Sequence, residues 1–77
     1  MKELLLYIAR SLVTRPDQVT VTEKGPEDDL TLELRVAPED MGKVIGRNGR
    51  IAKEIRTVVR SYAQRKGVKV SVDIVDE

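Results

Sequence analysis

The stretch Val44-Ile45-Gly46-Arg47-Asn48-Gly49-Arg50-Ile51-Ala52-Lys53-Glu54-Ile55 decides how this chain is read. Two glycines bracket the polar pair Arg47 and Asn48. Apolar Val44 and Ile45 precede them, and Ile51 and Ile55 follow at helical spacing. Such a pattern predicts two helices joined by a sharp turn, because glycine adopts backbone angles that other residues resist.

Toward the C-terminus, the pattern predicts a helix from Gly49 to Lys66. Its apolar stripe is Ile51, Ile55, Val58, Val59 and Tyr62. Arg50, Lys53, Arg60 and Gln64 lie roughly opposite, with Arg56 toward the border. Gly67 is a helix stop, and Val68 to Ile74 alternates as a strand. Toward the N-terminus, Pro38, Glu39 and Asp40 suit the start of a short helix ending near Ile45. Leu30 to Val36 alternates without a break and predicts a strand with one buried face. Lys24 to Asp29 is an acidic turn, and Val19 to Thr22 is β-branched and predicts another strand.

Residues 2–14 predict an opening helix ended by Pro16. Leu5, Ile8 and Leu12 form its core stripe. Leu6, Ala9 and Val13 form a second side, read as core or as a partner surface. The order is thus αββααβ in one domain of 77 residues. The short loop makes the first two strands an antiparallel hairpin. A two-helix crossover then returns the third strand parallel to the second. The expected α+β fold is a three-stranded mixed sheet, central strand 30–36, with three helices on one face.

The chain has no cysteine and no histidine, which excludes disulfides, thiolate metal sites and the commonest general base near neutral pH. No metal or cofactor is expected, and no nucleophile–base pair suggests an enzyme. Gly46 to Gly49 lacks the Gly-Lys-Ser/Thr ending of a nucleotide cradle. The six apolar residues from Leu4 to Ala9 are too few to span a bilayer and make a poor signal peptide; the chain reads as cytoplasmic.

The net charge of +1 hides an asymmetry. Between Gly42 and Lys66, eight basic residues stand against Glu54 alone, a balance of +7. The rest of the chain holds six basic and twelve acidic residues, a balance of −6. A basic stripe on an otherwise acidic domain is an electrostatic footprint for a polyanion; read blandly, it is a solvated helix face. The glycines would let a sugar-phosphate chain approach the main chain, and the following helix N-terminus favours a phosphate. Arg47 and Arg50 add charge, and Asn48 an amide donor. Val44, Ile45 and Ile51 are candidates for an apolar shelf under bases, with core packing as the alternative. Only Tyr7 and Tyr62 are aromatic, so stacking on aromatics is not expected at the loop. From the residues alone the ligand is one nucleic-acid strand, RNA or DNA.

Val44 to Ile51 resembles the signature of the KH domain, whose Gly-x-x-Gly loop clamps about four nucleotides of single-stranded RNA. The element order is similar to the type II, prokaryotic form. Length, opening helix and the run Gly42-Lys43-Val44-Ile45-Gly46 resemble the short bacterial single-KH proteins of the KhpA family. The resemblance implies RNA binding, self-association, and pairing with a second KH protein. It carries Gly46, Arg47, Asn48 and Gly49 over as the clamp, Lys43, Arg50 and Lys53 as flanking phosphate contacts, and Val44, Ile45 and Ile51 as groove residues. Val70 and Val72 read as core, with groove-edge positions as the alternative. The competing function is a protein-interaction module with little RNA contact, motivated by Leu6, Ala9 and Val13.

Overall fold

The computed structural model describes residues 1–75; Asp76 and Glu77, the end of the expected 1–77 domain, lie outside the described residues. The elements are α1 (Lys2–Leu12), β1 (Thr20–Lys24), β2 (Asp29–Arg35), α2 (Met41–Ile45), α3 (Arg50–Arg65) and β3 (Lys69–Ile74), with single 3-10 turns at Pro16–Gln18, Pro38–Asp40 and Arg47–Gly49. The α+β expectation and the αββααβ order are met.

The sheet order is β1-β2-β3. β1 pairs antiparallel with β2, and β2 pairs parallel with β3. The register follows the sequence alternation. Leu32 stands beside Val72 and Leu34 beside both Val21 and Ile74. Val21, Leu32, Leu34 and Val72 are all buried. The opposite face carries Thr22, Glu33, Arg35, Ser71 and Asp73. There Glu33 is held between Lys24 at 3.2 Å and Arg35 at 3.6 Å.

Against the inner face pack Leu5 and Ala9 of α1, Val44 of α2, and Ile55 and Val59 of α3. Leu5, Val44, Ile55 and Val59 each contribute about 1.5–3 kcal/mol when fully buried. Ala52 and Ala63 of α3 are buried beside them.

Three details depart from the sequence reading. First, α1 stops at Leu12, before Pro16 could end it. Val13 is extended, at φ −95° and ψ 164°, and the Thr14 and Arg15 amides turn to Asp40 instead of continuing the helix.

Second, the α1 core line is Leu5 and Ala9, whereas Leu12 is 37% exposed. Ala9 has no exposed surface, and Leu6 and Val13 pack against the core. Of the second side read as core or partner surface, Ala9 is interior, while Leu6 and Val13 are only partly buried and Leu6 lines an open depression with Tyr7 and Arg10. Third, the core line of α3 is Ala52, Ile55, Val59 and Ala63. Val58 is 49% exposed, and Ile51 and Tyr62 are only partly buried. Both errors have one source. Side-chain volume drew the predicted stripe, but a helix lying close on a sheet puts small residues on its contact line.

The α3 stop follows the sequence. Gly67 has φ 73°. Its N–H donates to the Gln64 carbonyl and that of Val68 to the Ala63 carbonyl, both at 3.1 Å. This is the paired bonding of a Schellman cap.

Candidate nucleic-acid interface

The turn between α2 and α3 is built from three positive φ values, at Gly46 (76°), Asn48 (57°) and Gly49 (73°). At Gly46 the pair φ 76° and ψ 177° belongs to a region essentially restricted to glycine. A Cβ there would also lie 2.6 Å from Cγ1 of Ile51, so Ile51 packs directly on the bare backbone. Gly49 differs. Its φ 73° and ψ 14° are left-handed helical, and a Cβ would meet nothing within 4 Å. The Gly46 N–H closes α2 on the Gly42 carbonyl at 2.9 Å.

Arg47 and Asn48 at the tip are exposed, as are Lys43, Arg50 and Lys53. Arg47, Asn48, Arg50, Ile51 and Lys53 line one shallow depression. No side chain caps the N-terminus of α3; its first amide, that of Arg50, donates to the Arg47 carbonyl. Val44 departs from the groove reading. It has no exposed surface and contributes packing, not a groove contact. Ile45 and Ile51 pack partly against the core and keep some surface. Val72 is buried and Val70 partly so, in line with their reading as core.

A fastener behind the loop escaped the sequence reading. Asp40, at the start of α2, is fully buried. One carboxylate oxygen accepts from the Thr14 N–H (3.1 Å) and hydroxyl (2.8 Å), and the other from the Arg15 N–H (3.1 Å). Burial raises the carboxyl pKa, but the Thr14 and Arg15 donors and the charge of Lys43 outweigh it, holding the carboxyl below its ordinary value. Arg15 also pairs with Glu39 at 3.2 Å. The end of α1 is thus pinned to the start of α2. Glu39 and Asp40 were read only as generic helix-start acids; a buried acid 26 residues from its partner has no local signature.

The flanks of α3 differ in chemistry. Lys53, Arg56 and Arg60 lie on the flank toward β3, where Arg56 Nε donates to the Val72 carbonyl at 3.0 Å. Val58 and Tyr62 lie on the other flank with Leu4 of α1, lining a largely apolar depression that Thr57, Ser61, Arg65 and Lys66 also line. Ile8 and Leu12 of α1 continue it beside Ile51 and Val58. Tyr62 was read as core; it borders this depression instead, with Lys66 Nζ 5.5 Å from its ring centroid. Tyr7 is 73% exposed. Among the described residues, no helix is long and apolar enough to cross a membrane.

Comparison with known proteins agrees with this architecture. A family model described as the KH domain of KhpA and KhpB matches residues 2–74. The chain is 56% identical over 75 residues to the RNA-binding protein KhpA of Clostridium acetobutylicum, covering 97% of this chain and all of that protein. It is 48% identical over 75 residues to the KhpA of Treponema pallidum, covering 97% of this chain and 94% of that one. It is 47% identical over 77 residues to that of Chlamydia muridarum, covering 100% of this chain and 99% of that one. Among solved structures, Aquifex aeolicus Era bound to GDP.AlF4- superposes with TM-score 0.68 at 21% identity. The match covers 95% of this chain and 28% of that one, a likeness of fold.

Proposed function

The chain belongs to the KhpA/KhpB KH-domain family, and on that ground we propose that it is a single-domain, cytoplasmic RNA-binding module that holds one RNA strand on its Gly46–Gly49 loop. The observation that carries this reading is the depression lined by Arg47, Asn48, Arg50, Ile51 and Lys53 beside the uncapped start of α3. Gly46 and Gly49 let the strand's backbone approach the main chain. The positive end of the α3 dipole and the Arg47, Arg50 and Lys43 cations meet its phosphates. Ile45 and Ile51 offer the apolar surface on which a base rests. Such a module serves post-transcriptional regulation or remodelling of RNA.

Binding by one copy rests on about two or three phosphates, giving a log-log salt slope of about −1.5 to −2. A second copy, or a second KH protein, joined at the Val58 flank would raise avidity without new contact types. The support for that arrangement is the apolar surface shared by α1 and α3, with Val58 49% exposed at its centre.

The test is anisotropy of a labelled pool of short RNAs with wild type and the Arg47→Asp/Asn48→Asp double variant, both checked by circular dichroism. Binding by wild type alone, weakened by salt, is the expected result. Equal binding by both would move the RNA to another surface. Absence of binding by either would favour a protein-interaction module, and tighter binding of the matching DNA pool would replace RNA as the ligand.

A further inference from the structure

The helix that delivers the glycine loop, α2, is five residues long, too short to hold its shape or its place unaided. Its apolar anchors are Val44, buried in the core, and Gly46, which lies against the side chain of Ile51. Apolar burial has no preferred direction, so these contacts alone let the helix roll or slide. Its polar anchor is Asp40. That carboxylate accepts from the Thr14 hydroxyl at 2.8 Å and from the Thr14 and Arg15 N–H groups at 3.1 Å. Hydrogen bonds fix distance and angle together.

Asp40 stands at the N-cap position of α2, where a carboxylate ordinarily accepts from the amides of its own helix. Here it makes no such bond. Both oxygens turn instead to the end of α1. The residue is fully buried, and burial keeps water from competing for these bonds. From Asp40 the helix runs about 9 Å to Gly46, at about 1.5 Å per residue. A shift at Asp40 is therefore carried along one short rod to the loop.

We propose that Asp40 is a positioning residue for RNA binding: its tie to α1 sets where α2 delivers the Gly46–Gly49 loop to the strand. The inference rests on the RNA-binding reading. Asp40 has no exposed surface, so it acts through α2 and touches no ligand itself. Charge alone argues for the opposite effect. Lys43 lies three residues on, along the same side of α2, and its charge acts on this carboxylate. Losing the carboxylate would leave Lys43 to attract a polyanion more strongly. A loop placed by Asp40 must instead bind RNA less well when the acid is lost, despite the gain in positive charge. The sign of the change separates positioning from electrostatics.

The test measures affinity for a labelled pool of short RNAs, well below each protein's melting transition. The proteins are wild type, Asp40→Asn, Thr14→Val, Thr14→Ser and Ala63→Gly. Thr14→Val loses the hydroxyl bond but keeps every charge and both backbone bonds; Thr14→Ser keeps the hydroxyl. Ala63→Gly weakens the last turn of α3, at the end away from the loop, and controls for stability lost elsewhere. Asp40→Asn should bind about tenfold more weakly than wild type, and Thr14→Val about threefold. Thr14→Ser and Ala63→Gly should stay within about twofold. In amide NMR spectra without RNA, the Gly46 and Gly49 resonances should move in Asp40→Asn and Thr14→Val and stay in place in Ala63→Gly. Unchanged or tighter binding by folded Asp40→Asn overturns the proposal. Equal weakening in Ala63→Gly, the mark of a general loss of stability, does the same. Should Asp40→Asn not fold, Thr14→Val decides: affinity and loop resonances like those of Thr14→Ser overturn the proposal. Wild type binding no RNA overturns the RNA reading itself, and the loop resonances of Thr14→Val then show whether Asp40 still places the loop.

Discussion

The two flanks of α3 present opposite surfaces from one helix. Toward the β3 edge stand Lys53, Arg56 and Arg60; toward α1 stand Ile51, Val58 and Tyr62. Between them runs the core line Ala52, Ile55, Val59 and Ala63. A helix packed on a sheet by small residues leaves a broad strip of its circumference uncovered on each side. Here one strip is charged and the other largely apolar, with Glu54, Arg65 and Lys66 bordering it. The charged strip suits a ligand bound through screened contacts to many similar sequences. The apolar strip suits a partner bound by dehydration, which salt does not weaken. The width of a helix separates these chemistries, so an RNA strand on one and a protein partner on the other would not displace each other.

The largest expected effect comes from crossing the two surfaces. Arg47→Asp/Asn48→Asp should weaken RNA binding roughly hundredfold, by removing two polar contacts and adding repulsion at a phosphate site. The same variant should leave self-association unchanged in analytical ultracentrifugation. If oligomeric state changes with it, the two flanks are not independent and the comparison breaks.

The converse variant is Val58→Asp. A lone carboxylate buried in an apolar interface is costly, so self-association should weaken about thirtyfold. Intrinsic affinity for a hexamer too short to bridge two copies should stay within about twofold, while long RNA loses its avidity. If Val58→Asp leaves the sedimentation profile of a self-associating wild type untouched, the apolar strip is not the interface.

A third expectation concerns the point where the flanks meet. Ile51, on the apolar flank, lies on the backbone of Gly46, in the loop. Gly46→Ala should therefore cost about 1–3 kcal/mol in urea unfolding, because the conformation is nearly glycine-only and the new methyl collides with Ile51. Gly49→Ala should cost less, about 1 kcal/mol, since its left-handed angles are more permissive and the space beside it is open. Equal costs would mean that the loop relaxes and that Ile51 does not tie the flanks together.

These distinctions were unevenly legible in the chain. The sheet followed from strict alternation in β2 and β3 and from the loop lengths, because a half-buried strand repeats every second residue whatever its neighbours. The loop followed from its two glycines. The flanks of α3 were misdrawn. Helical spacing groups Ile51, Val58 and Tyr62 with the core, and only the closeness of helix to sheet puts Ala52 and Ala63 there instead. The Arg56 bond to the Val72 carbonyl was equally hidden, because a side chain meeting an edge-strand backbone leaves no periodic trace.

The smallest expected effect tests whether the frame behind both flanks depends on Asp40. Its carboxyl sits below the ordinary 3.8 in the folded chain, so above that value the ionised group adds stability. As pH falls below it, the unfolded chain takes up a proton before the folded one does, and the contribution is lost through the folded pKa. Asp40→Asn cannot ionise. Its amide, turned toward Arg15, would also set a donor against the Arg15 N–H. The variant should melt below wild type at pH 6, by about 5 °C. The two melting curves should converge as pH is lowered below 3.8 and through the depressed folded pKa, because wild type loses what the variant never had. Parallel curves would mean that other carboxylates govern the acid transition. The pin between α1 and α2 would then owe its strength to geometry instead of charge.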